Sequence, residues 1–232
     1  MALALAGAVS QGILWGIMVL GVFITFRMLD IADLTVDGSF ALGGCVAAVA
    51  SVNLGLDPLV AILLGTLAGI VAGAVTGLLH TLFDIPAILA GILTQISLWS
   101  INLRVMGKSN TPLLQNDTIF SRVTDLTGLS TNVGSIIVGL VIAVLCILLL
   151  YWFFGTEIGS ALRATGQNED MCRALGIDVR VTKLIALSLS NGLVGLSGAL
   201  VCQGQKYADI QMGTGAIVIG LAAIVIGEVL FG

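Results

Sequence analysis

EIGSALRATGQNEDMCRALGIDVRVTK, Glu157 to Lys183, holds eight charged side chains of a chain that has only nine Lys/Arg and 13 Asp/Glu in 232 residues. Apolar segments at 134–154 and 183–203 flank it, each near the ~20 residues that cover a bilayer's hydrocarbon as a helix. A polar island between two such runs lies outside the hydrocarbon, because buried charge is costly there. Its charges are mixed in sign, four acidic and four basic, unlike a polybasic lipid-binding patch.

Working outward, the chain is 58% hydrophobic and 9% charged, with a mean hydropathy of +1.13. A soluble domain carries roughly 25% charged residues, so too few polar side chains are present to coat a soluble core. Runs such as Ile136–Phe154 do not alternate as barrel strands do. The expected class is therefore an all-α, polytopic transmembrane helical bundle. A net charge of −4 argues against a nucleic-acid partner. Cys45, Cys146, Cys172 and Cys202 sit singly, as small apolar side chains do, and His80 has no neighbouring ligand type, so no metal site and no catalytic residue is expected. The run from Ala2 to Phe26 is too long for a signal peptide and lacks a basic leader.

Seven hydrophobic segments are expected at 3–26, 39–53, 58–80, 86–102, 134–154, 183–203 and 215–231. The second is short, and Leu34-Thr35-Val36-Asp37-Gly38-Ser39 precedes it. It reads either as a broken, re-entrant helix lining a cavity or as a plain short helix capped by Asp37 or Ser39. Asp57-Pro58 and Pro86 place a cap and a first-turn proline ahead of the third and fourth segments. The third carries Gly65, Gly69, Gly73 and Gly77, a bare face on which another helix backbone can pack closely. Polar groups inside spans either bridge helices or line a path. The translocation-pathway candidates are Asp37, Thr94, Gln95, Asn102, Ser188 and Asn191. Residues 103–133 form a polar loop with a short surface helix expected near 117–127.

Within the island, Asn168 is placed to cap a helix over 169–175, with Glu169 and Asp170 in its first turn, Arg173 near its end and Gly176 at the left-handed position beyond. Met171, Cys172 and Leu175 are expected to share its apolar face. Gly159–Thr165 adds another turn or two upstream. A short helix across the membrane surface suits docking in a groove of a soluble partner, and a solvated, self-capping loop is the plainer alternative.

The run Ala161-Leu162-Arg163-Ala164-Thr165-Gly166-Gln167-Asn168, followed by Arg173-Ala174-Leu175-Gly176-Ile177, resembles the coupling segment of ABC importer permeases of the branched-chain amino acid and ribose type. The stretches Leu34–Ser39 and Gly215–Gly232 are similar as well, and the nearest group within the family is that of aromatic amino acid importers. The resemblance implies one transmembrane permease domain over 1–232, with a cytoplasmic coupling loop at 155–182 and an extracytoplasmic loop at 103–133. It implies a homodimer in a bacterial cell membrane with the N-terminus outside, a binding protein that delivers substrate, and a separate cytoplasmic ATPase that holds ATP and Mg. Arg163, Ala164, Thr165, Gly166, Gln167, Asn168, Glu169, Arg173 and Gly176 would then contact that ATPase. Members of the family usually run on past the last segment, so the chain is expected to be short at its C-terminus, with Glu228 at an interface. Five basic residues against four across the two sides give no orientation by charge. The expected cargo is an amino acid, with sugars and nucleosides as alternatives. The rival classes are an ion-coupled secondary transporter, resting on Asp37 and Glu228, and a non-transporting scaffold.

Overall fold

The computed structural model describes residues 2–114, 116–128 and 131–231. Parts of the 103–133 loop, Gln115, Leu129 and Ser130, and the terminal Gly232 therefore lie outside the described residues. Helix α1 (Ala2–Phe23) runs into one π-helical turn, Ile24–Met28. Then follow α2 (Thr35–Val52), α3 (Pro58–Leu82), α4 (Ala87–Met106), α5 (Ile119–Thr127) and α6 (Thr131–Phe154). The island forms α7 (Glu157–Gln167) and α8 (Glu169–Ala174), and α9 (Val179–Gln205) and α10 (Ala216–Phe231) complete the chain. Two short antiparallel strands, β1 (Asn110–Pro112) and β2 (Tyr207–Asp209), clip the loop after α4 to the loop after α9. Among the described residues, six helices are long and apolar enough to cross a membrane, and α10 is a shorter apolar helix. Together they match the seven expected segments.

Helix α9 is the centre, with α1, α2 and α3 packed on it. Hydrocarbon supplies no hydrophobic drive between helices, so close backbone approach must hold them together. A methyl group added at Gly69 or Gly73 would overlap the carbonyl oxygen of Asn191 or Leu187 on α9. One at Gly65 would come within 2.7 Å of the Gly43 carbonyl of α2, and one at Gly77 within 3.0 Å of Leu184. Helix α2 meets α9 in the same way, since Gly43 and Gly198 leave no room for a Cβ against the carbonyls of Gly195 and Phe40. Trp15 of α1 and Phe40 of α2 fill the space above, their ring centroids 5.1 Å apart.

Helix starts follow the expected chemistry in α3, where Asp57 accepts from the Leu59 amide ahead of Pro58. The second span differs. It is one continuous helix over Thr35–Val52, so no break falls within Thr35–Ser39. Its start is capped by Asp33, whose Oδ1 accepts from the Thr35 amide at 2.9 Å, and not by Asp37 or Ser39. The interruption lies earlier, where the π turn of α1 gives way to the non-helical stretch 29–34.

If bare backbone contact holds α3 to α9, Gly73→Val should lower the thermal unfolding midpoint sharply, by an overpacking cost of roughly 1–3 kcal/mol or more. Gly16→Ala, whose Cβ would meet nothing within 4 Å, should leave the midpoint unchanged or raise it. Thermal unfolding of the purified protein in detergent checks this, and equal midpoints for the two variants would refute the packing role.

Candidate functional site

The island lies at the ends of α6 and α9. Thr156 caps α7 by accepting from the Gly159 amide, and Asn168 caps α8 by accepting from the Met171 amide at 2.9 Å. Gly176 takes φ +82° beyond α8, the left-handed conformation that favours glycine. The expected helix at 169–175 is thus one of a pair, with an 11-residue α7 before a 6-residue α8.

The nine residues named for coupling divide by position. Arg163, Gln167, Asn168, Arg173 and Gly176 are exposed. Arg163 donates to the Phe154 carbonyl, and Arg173 pairs with Glu169 and Asp170. Glu169 is half-buried and also pairs with Lys183 of α9. Thr165 is buried, within 3.3 Å of the Thr182 hydroxyl of α9, and so faces the bundle. Ala164 is half-buried beside it. Gly166 lies with its backbone directly on the Met28 carbonyl, where no Cβ fits. Leu162 of α7 packs with Ile24 and Leu29 around the π turn of α1. The expected apolar face of α8 is divided: Cys172 is buried, whereas Met171 and Leu175, one helical turn apart, project into solvent.

From that π turn the chain leads to a buried polar network. Asp33 Oδ2 accepts from Asn191 Nδ2 at 2.6 Å, and Asn191 Oδ1 accepts from the Ser39 hydroxyl at 2.6 Å. The Thr35 and Thr76 hydroxyls, 2.8 Å apart, join α2 to α3 beside it. Asn191 is therefore a bridge between helices. Ser188 and Thr94 bond back to Leu184 and Ala90 of their own helices, which satisfies their hydroxyls locally.

Asp37, Gln95 and Asn102 do come together. With Trp99, Gln211 and Thr214 they line a cleft of about 290 Å³ between α2, α4 and the stretch leading into α10. Asp37 also caps α10, accepting from the Gly215 and Ile217 amides at 3.0 and 2.9 Å. Glu228 pairs with Arg27 at 2.8 Å. Both carboxylates named for ion coupling thus have structural partners. Asp33 was not singled out from the sequence, because a carboxylate between two spans reads as a loop charge. Its only signal is that it stands just ahead of a helix that needs a cap.

The structure is a helical membrane bundle with two short helices, α7 and α8, between α6 and α9 and a cleft beside α2 and α4. The chain belongs to the family described as branched-chain amino acid transport system / permease component, which matches residues 4–232. It is thus an integral membrane permease of the ABC type. It is 40% identical over 222 residues to the tyrosine transport system permease protein of Clostridioides difficile (strain R20291), covering 96% of this chain and 72% of that one. An uncharacterized protein of Rickettsia prowazekii (strain Madrid E) is 34% identical over 224 residues, 97% of this chain and 76% of the other. The ribose import permease protein of Escherichia coli (strain K12) is 28% identical over 197 residues, 84% and 60% of the two chains. No solved structure matches the chain with significance.

Removing Asp33 leaves the Asn191 amide and the first turn of α2 short of an acceptor. Asp33→Ala should cost about 1–3 kcal/mol, seen as a lower thermal midpoint. Asp117→Ala, at an exposed position, should stay within about 0.5 kcal/mol. Equal midpoints would deny the network its structural role.

Proposed function

We propose that this permease imports an amino acid, driven by a separate cytoplasmic ATPase on which α7 and α8 dock. The observation that carries this reading is the seating of α7, with Gly166 against the Met28 carbonyl and Leu162 against Ile24 and Leu29. Any force applied to α7 is delivered to the end of α1. There a π turn and the stretch 29–34 lead to Asp33, Asn191 and the start of α2. A close-packed contact transmits displacement because it has no slack.

The outer surface suits a soluble partner. Leu175 is 70% exposed and Met171 48% exposed on a helix rimmed by Arg173, Asp170 and Glu169. An apolar knob with a charged rim fits a groove on another protein. Lys183 ties α8 to the second turn of α9 through Glu169, so a docked partner would act on the central helix as well.

The amino-acid cargo rests on the likeness to the tyrosine permease, which is stronger in identity and coverage than that to the ribose permease. Asp37 and Glu228 are both engaged in structural bonds, which favours a driven permease over an ion-coupled carrier. With α7 and α8 in the cytoplasm, the N-terminus and the β1–β2 clip lie outside, where a binding protein would deliver cargo. A second copy of the chain would complete the pathway, with ATP and Mg held by the ATPase pair.

The test is uptake by the transporter assembled with its ATPase. Met171→Glu/Leu175→Glu should prevent ATPase association and lower uptake at least about tenfold, ~1.4 kcal/mol of lost coupling. Gly166→Leu should keep the ATPase bound yet uncouple hydrolysis from uptake. Amino-acid uptake by the permease without any ATPase would contradict the proposal.

A further inference from the structure

Gln95, Trp99 and Asn102 stand at i, i+4 and i+7 on α4, so they present one face of that helix to the cleft. The cleft's 290 Å³ lies at the small end of the roughly 300–1,000 Å³ typical of small-molecule pockets. Asn102 is 1% exposed, and among the described residues neither Oδ1 nor Nδ2 has a hydrogen-bond partner. A buried amide left wholly unpaired is rare, because each unmade bond opposes folding. Here it faces a space lined by further polar groups. Asp37, opposite, is held rigidly by the two amides at the start of α10, and Gln95 Nε2 reaches it only at 3.5 Å. Trp99, more than half exposed, and Ile96 supply a broad apolar wall beside the polar end.

We propose that this cleft holds the head group of an α-amino acid with an apolar or aromatic side chain during its passage. The inference rests on the amino-acid reading above and adds the place and the chemistry. The fixed Asp37 carboxylate matches an ammonium group, whose charge it would neutralise at short range. The Asn102 amide offers Nδ2 to the carboxylate and Oδ1 to the ammonium, so one side chain addresses both halves of a zwitterion. Trp99 and Ile96 then face the substrate's side chain, and an aromatic ring gains most from such a wall. Each Asp37 oxygen accepts one backbone amide and keeps a lone pair toward the cleft, and an ammonium group would gain more there than an uncharged sugar hydroxyl, which is the basis for choosing an amino acid.

The experiment measures uptake of L-tyrosine, L-phenylalanine, L-alanine and ribose by the assembled transporter, together with complex formation and thermal stability. Asn102→Leu should lower amino-acid uptake by about tenfold or more, as when a polar contact made by the site is lost, with the complex intact. Its thermal midpoint should hold or rise, since an apolar side chain of similar shape removes an unpaired buried amide. Trp99→Ala should reduce tyrosine and phenylalanine uptake more than alanine uptake. Full uptake by Asn102→Leu would overturn the cleft while leaving the amino-acid reading standing. A wild-type transporter that carries ribose and no amino acid would overturn that reading, and the proposed head group with it.

Discussion

Carbonyl oxygens of α9 rest on the α-carbons of glycines in α3 and α2, with no side chain between them. In hydrocarbon this is among the few ways to bind helices firmly, since apolar side chains gain nothing by leaving lipid. The contact fixes α9 as the axis of the bundle, and α1 joins it through Ser190 and Ser197, which donate to the Gly21 and Leu14 carbonyls. It also brings Asn191 against Asp33 and Ser39, so the one buried carboxylate of the α1–α2 link is satisfied. The position of α7 follows, because its glycine uses the same backbone-on-backbone device against the end of α1.

Much of this was legible in the sequence where one helix carries the whole signal. The spans follow from hydropathy, and the glycine face of α3 follows from a period of four. The caps at Asp57, Asn168 and Gly176 follow from local chemistry. What could not be read depends on partners far along the chain. Asp37 looks like a cap for its own helix, yet it serves α10, nearly 180 residues away. Asn191 and Asn102 look alike as polar side chains in spans, but one is a saturated bridge and the other an unpaired amide in a cleft. Cys172 and Met171 are neighbours in one short helix, and only the packing of α7 and α8 on α9 decides which is buried.

The same geometry arranges the functional parts in a line. Exposed Met171 and Leu175 lie at one end, the π turn of α1 and the Asp33 network follow, and the cleft beside α4 adjoins the start of α2. Asp37 links the last two, since it lies in the first turn of α2, lines the cleft and anchors α10. A permease driven from one end needs such continuity, with stiff contacts between the driven surface and the path.

The central claim is that α7 and the end of α1 move as one body. Distances between spin labels at Gln167 and Arg27, both exposed, test it most directly in the assembled transporter, nucleotide-free and trapped with ATP. The account predicts one narrow distance distribution with the same mean in both states. A mean that shifts when ATP binds would show that α7 slides over α1, and would contradict the linkage on which the coupling mechanism depends.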